Sequence, residues 1–227
     1  MNRSARSDGG PGPAPPGADP ASERGSTTLE LVLNTSTQLF AERGFAAATM
    51  RELADRADLP LSGFYYYFGR KYDVLLAIMD KALGRLEAGA EEVYDEKLAP
   101  DELLRVLVER HVCVHLLHPA AASVADGELR ALQPADRDAV VARRDRYEDR
   151  FRHVLGAGVK VGCFDPELDI PVATMAILTM STSVIDWWTA DGRHSIDDTA
   201  RLIADFSLGI ACGPGSGAGG SAPSPRR

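Results

Sequence analysis

Thr49-Met50-Arg51-Glu52-Leu53-Ala54-Asp55-Arg56-Ala57-Asp58-Leu59-Pro60-Leu61-Ser62-Gly63-Phe64-Tyr65-Tyr66-Tyr67-Phe68 is the stretch on which the fold turns. Thr49-x-x-Glu52 is a capping box: a threonine hydroxyl takes the orphan amide of the first turn while the glutamate returns to the cap amide. That predicts a two-turn helix to about Ala57. A four-residue turn, Asp58 to Leu61, leads into a second short helix from Pro60 or Leu61 to Tyr67. Two short helices joined this way make a helix-turn-helix, whose second helix can enter a DNA major groove. Five aromatics crowd the second helix just before Arg70 and Lys71. Phe64 and Phe68, four apart, can anchor it, whereas three adjacent tyrosines cannot all face inward, so at least one hydroxyl points to solvent or a ligand.

Working outward, the apolar pattern is helical nearly everywhere and nowhere alternates between hairpin turns, so the chain is all-α. A helix opens at Thr27-x-x-Glu30, buries Val32, Leu33, Ser36, Leu39 and Phe40 on one face, and stops at Gly44. A longer one begins near Gly69 to Lys71 and runs through Leu75, Met79, Leu83 and Leu86 as far as Lys97. Pro100 suits the first turn of a helix that Pro119 terminates, and Pro134 opens another through Gly156, with Gly162 as its last credible stop. Ile170 to Thr189 reads as a buried helix, too short in apolar residues for a membrane span. A final helix follows the Ser195-x-x-Asp198 cap to Cys212. No period of 20 to 50 residues repeats.

Composition sets the remaining bounds. The 227 residues are 44% apolar and 26% charged, an ordinary globular composition, with 25 Lys+Arg against 33 Asp+Glu. The deficit is not uniform: residues 1–71 hold 8 of each sign, so the net −8 resides entirely beyond them. Overall acidity therefore does not argue against nucleic-acid binding by the first segment. Three dispersed cysteines give neither a disulfide framework nor a zinc site. Residues 1–25 and 213–227, rich in Gly, Pro, Ala and Ser, read as a disordered arm and a disordered tail.

Leu39-Phe40-Ala41-Glu42-Arg43-Gly44-Phe45, Thr49-Met50-Arg51-Glu52-Leu53-Ala54 and Phe64-Tyr65-Tyr66-Tyr67-Phe68 with Lys71, in this order and spacing, resemble the DNA-binding domain of the TetR family of transcriptional regulators. The resemblance implies a cytoplasmic homodimer with an N-terminal three-helix reader of double-stranded operator DNA (residues 26–86). It also implies a larger helical domain (87–212) that binds a small molecule and dimerises through its last two helices. Carried over by position, it makes Thr49 a cap facing phosphate and Arg51 a base-edge or phosphate contact. Leu61, Ser62 and Gly63 become the groove-facing start of the recognition helix, and Tyr65, Tyr67 and Lys71 its phosphate contacts. Asp58 and Pro60 depart from the family pattern of Gly and Ser/Thr. Asp tolerates a left-handed turn and Pro suits a first helical turn, so the fold survives, while one capping hydroxyl is missing.

Gly127 to Leu132 and Ala142 to Glu148 resemble a TetR subgroup with members that respond to acyl-CoA thioesters, which implies an apolar pocket with arginines toward phosphates. Most arginines between 143 and 152 alternate with acids and read equally as a solvated, salt-bridged face. His111, His115 and His118 fall on one helical stripe. Lacking a carboxylate or cysteine on that face, they read as pocket lining or satisfied core histidines rather than a metal site. Candidate ligand contacts are thus His111, His115, Arg130 and Tyr147, with no metal and no cofactor expected. The rival reading is a helical small-molecule-binding protein or enzyme whose helix-turn-helix is structural only. Against an enzyme, the sequence has no nucleophile elbow, glycine-rich phosphate loop or paired-carboxylate motif.

Overall fold

The computed structural model describes residues 20–213; of the arm expected over 1–25, residues 1–19 lie outside the described residues and 20–25 belong to the first helix, and of the tail expected over 213–227 only Gly213 is described. Within them the chain is helical and free of strands: α1 (Pro20–Arg43), α2 (Met50–Arg56), α3 (Leu61–Tyr67), α4 (Lys71–Val93), α5 (Pro100–Leu117), α6 (Pro119–Gly127), α7 (Pro134–Val161), α8 (Ile170–Thr182), α9 (Val184–Trp187) and α10 (Ile196–Cys212), with a 3₁₀ turn at Leu129–Ala131. Helix α1 starts at Pro20, so Thr27-x-x-Glu30 lies inside the helix rather than at its cap. Proline at a first helical position explains the starts of α5, α6 and α7. At Pro119 the expectation was a stop alone. The residue ends α5 and opens α6 at once, because a ring that cannot continue one helix is pre-set to begin the next.

Two cores form. In the first, α1 to α4 bury Val32, Phe40, Leu53, Phe64, Leu75 and Met79 together with Val124 of α6 and Leu132. In the second, α5 runs through the middle and touches α4, α6, α7, α8, α9 and α10, burying Leu104, Val108, Phe151, Leu155, Ile177 and Ile203. Helix α4 contributes to both. The segment expected as one buried helix from Ile170 to Thr189 breaks at Ser183 into α8 and α9 and ends at Trp187, and only one face of it is buried. Val172 and Met175 on that segment, with Leu202 and Phe206 on the adjacent α10, are exposed at helical spacing.

Asp58 carries the strain of the α2–α3 turn, with φ at +54°. A left-handed residue with a Cβ is disfavoured by about 1–2 kcal/mol. Asp58→Gly is therefore expected to stabilise the protein by about 0.5–1 kcal/mol after the added unfolded-state entropy is deducted, read as a higher midpoint in urea unfolding. An unchanged or lower midpoint would show that the turn is not strained.

Candidate DNA interface and effector pocket

Helix α2 is capped as expected: the Thr49 hydroxyl accepts from the Glu52 amide at 3.2 Å, and the Thr49 amide donates to Glu52 Oε2 at 2.8 Å. The Thr49 hydroxyl, donating to Glu52 Oε2 at 2.9 Å, and then the Thr49 amide, with Arg43 beside them, hold the Glu52 carboxyl below the usual carboxylate range. Helix α3 starts at Pro60 with no side-chain cap. Phe64 is fully buried and Phe68 nearly so, fastening α3 to the first core. On its open face stand Ser62, Tyr65 and Tyr66, positions i, i+3 and i+4, with Tyr66 83% exposed. Arg51 is exposed nearby and has no ion pair among the described residues.

Four positions assigned by resemblance are half-buried or engaged within the chain. Leu61 and Tyr67 are half-buried against the first core, and Tyr66, which was not assigned, stands open instead, edge-on to Tyr67. Gly63 is half-buried over Pro60. Lys71 is not a free point charge: its ammonium donates to the carbonyls of Phe45, Ala46 and Ala48 at 2.7, 3.1 and 2.6 Å, clamping the α1–α2 loop. No motif signals that use, since the acceptors are backbone oxygens more than twenty residues away.

The second core borders a half-open cavity of about 130 Å³ between α4, α5, α6, α7 and α8. His111, His115 and Tyr147 all line it. His111 Nδ1 lies 2.9 Å from the Tyr147 hydroxyl and its Nε2 3.1 Å from Thr182 Oγ1. The His115 ring stacks on His111 at 4.2 Å, and its Nδ1 donates to the His111 carbonyl at 2.9 Å. Neutral His115 therefore keeps Nε2 as an acceptor. Arg130 does not join them: it is exposed on the 3₁₀ turn and lines none of this cavity. Arg144 does line it, tied to Asp126 at 2.8 Å. Most other arginines of α7 are paired with acids, as the salt-bridged reading expects: Arg143 to Asp80 and Glu87, Arg150 to Glu91, Arg152 to Glu148 and Asp149. Among the described residues no cluster of three His, Cys, Asp or Glu is placed to hold a metal.

Burial, and for His111 also the neighbouring His115, pushes the His111 and His115 rings below their ordinary value of 6.5. The unfolded chain takes up protons as pH falls through 6.5 while the folded chain resists. Stability is thus undiminished above that pH and declines below it, by at most about 1.4 kcal/mol per pH unit for each histidine. Thermal unfolding should show a midpoint that drops between pH 7.5 and 5.5, and His111→Gln should flatten the drop. Parallel curves for the two proteins would contradict this account.

Helix α6 is shared by both regions. Ala121, Ala122 and Ala125 face the cavity, while Val124 enters the first core. Glu128 just beyond accepts from the Phe45 amide at 2.8 Å, and the Tyr72 hydroxyl donates to Asp136 at 2.6 Å while accepting from the Gln133 amide.

This layout agrees with known proteins. Residues 32–78 match the model for bacterial regulatory proteins of the tetR family, and residues 97–211 that for the tetracyclin repressor-like C-terminal domain. The chain belongs to the TetR family. A curated relative, the HTH-type transcriptional repressor KstR2 of Rhodococcus jostii, is 28% identical over 196 residues, spanning 86% of this chain and 95% of its own. Among solved TetR structures, the regulator PfmR of Thermus thermophilus is 30% identical with a TM-score of 0.72, covering 78% of this chain and 96% of that one. AibR, solved with isovaleryl coenzyme A and operator DNA, shares the fold at 22% identity and a TM-score of 0.67, covering 82% of this chain and 98% of its own. In this TetR-family chain the helix-turn-helix presents a tyrosine face over a buried phenylalanine anchor, and the C-terminal helices border a histidine-lined cavity.

Proposed function

We propose that this TetR-family protein is a cytoplasmic, homodimeric transcriptional repressor that leaves a palindromic operator when an apolar or acyl-CoA-type effector enters the α4–α8 cavity. One observation carries the reading: α6 walls the cavity with small residues and packs its other face into the reader core. A volume of about 130 Å³ is below the roughly 300–1,000 Å³ of drug-sized ligand sites. An effector of that size must push the cavity open, and α6 transmits the movement to α1 and α4. The exposed apolar stripes of α8 and α10 supply the dimer interface. The two recognition helices then meet half-sites about 34–36 Å apart or at a related spacing. Weakened DNA affinity on effector binding corresponds to a coupling of about 1–3 kcal/mol.

Within this reading Arg51, Ser62, Tyr65 and Tyr66 make the outward contacts, Thr49 offers its helix terminus, and Leu61, Gly63, Tyr67 and Lys71 hold the reader in shape. The chain acts as a regulator, and the Tyr147–His111–His115 hydrogen bonds with the open His115 Nε2 present polar groups to the effector. Footprinting on DNA flanking its own gene, with and without octanoyl-CoA, tests the proposal. A two-fold-symmetric footprint that fades with the thioester supports it. No footprint, or one indifferent to every acyl-CoA chain length, refutes the respective half.

A further inference from the structure

A second cavity, of about 350 Å³, lies between α1, α4 and the start of α6. Arg85, His118 and Ala121 line it and the histidine cavity alike, so Arg85 stands on the boundary of the two. Its other walls include Asn34, Gln38 and Lys81, and among the described residues no carboxylate lines it.

Charge and pairing say what it suits. The other half-buried lysines and arginines among the described residues are Lys71, Lys81, Arg105, Arg110, Arg143, Arg144, Arg150 and Arg152, and each has a carboxylate or carbonyl partner. Arg85 is half-buried and has none among the described residues. The Arg85 guanidinium reaches water and has no counter-charge among the described residues, so its forked donors are free for a ligand anion. Lys81 adds a second charge, and its pair with Glu30, 3.3 Å apart, is exposed on the acid side and readily exchanged. The N-terminus of α6 opens at His118 with no side-chain cap, adding partial positive charge. His118 reports the resulting field: burial and then Arg85 and Lys81 lower its proton affinity.

We propose that this α1–α4–α6 cavity is an anion subsite, in which Arg85 and Lys81 bind the phosphate or carboxylate end of an effector whose apolar end fills the histidine cavity. The inference rests on the effector reading above and extends it. It assigns the charged end of the ligand to the junction with the reader, so that the anion touches α1 and α6 at once. Arg85 supplies the forked donor that matches two oxygens of one group, and Lys81 the point charge beside it.

Calorimetric titration of the full-length protein with pyrophosphate, octanoate and octanoyl-CoA tests this, comparing wild type with Arg85→Gln, Arg85→Lys and the bystander Lys97→Gln. Arg85→Gln should weaken pyrophosphate and octanoyl-CoA by about tenfold or more, Arg85→Lys by less, and Lys97→Gln not at all. Dependence on Arg85 seen with octanoate but not pyrophosphate identifies the anion as a carboxylate and supports the subsite. If no anion loses affinity on Arg85→Gln, in a variant whose circular dichroism matches wild type, the subsite is overturned, whether or not octanoyl-CoA still releases DNA. Arg85-dependent pyrophosphate binding with no release of operator by octanoyl-CoA would instead keep the subsite and remove the acyl-CoA reading.

Discussion

Phe206→Glu is expected to sediment as a monomer and to bind a palindromic operator about 10²- to 10⁴-fold more weakly than wild type, while a half-site fragment is bound equally by both. Phe206 is 60% exposed in the single chain and Met175 on the neighbouring α8 is 63% exposed, with Val172 and Leu202 completing an apolar strip. Two such strips facing each other remove several aromatic and aliphatic side chains from water, and a central aromatic dominates such an interface. A carboxylate at its centre must be desolvated without a partner, and in the symmetric dimer it faces a second copy of itself or its surroundings. Because position 206 is exposed, the monomer keeps its fold, and circular dichroism should be unchanged. A variant that remains dimeric in analytical ultracentrifugation would place the interface on another face.

The second large effect is expected at Phe64. Helix α3 has seven residues, and Phe64 is its one fully buried side chain. Truncation to Ala removes a ring packed against Phe68 and the first core, at a cost of about 3–5 kcal/mol. So short a helix is unstable without that contact. Operator binding should disappear, and Phe64→Leu, which refills most of the volume, should recover much of it. The ligand domain has its own core around α5, so effector binding should persist at temperatures where the reader has melted. Loss of both functions together at one temperature would show that the two cores unfold as one.

How far the sequence carried the reading depended on the range of the interaction. The capping box at Thr49, the proline starts at 100 and 134, the left-handed Gly44 and Gly162 and the cap at Ser195 are local devices, and all appear in the structure. The histidine stripe was legible as a stripe, and the fold turned His111 and His115 inward beside Tyr147 and left His118 exposed at the end of α5. Arg130 shares charge and neighbourhood in sequence with the pocket helices, yet the 3₁₀ turn faces it outward, which no periodicity over three residues can signal. Tyr66 was hidden by its neighbours: in a run of three tyrosines, spacing alone does not say which one the two phenylalanine anchors leave outside. Arg85 was invisible because what marks it is the absence of a partner, a property that exists only once α1, α4 and α6 have met.

The clamps within the reader have one more consequence. Lys71 is bound to loop carbonyls, Arg43 to Glu52, Arg56 to Glu42 and Arg70 to Asp73. Phosphate can exchange into the three exposed arginine pairs, but Lys71 stays with its three carbonyls when DNA arrives, and the logarithmic salt slope, about −0.9 per neutralised phosphate, is shallower by that one charge.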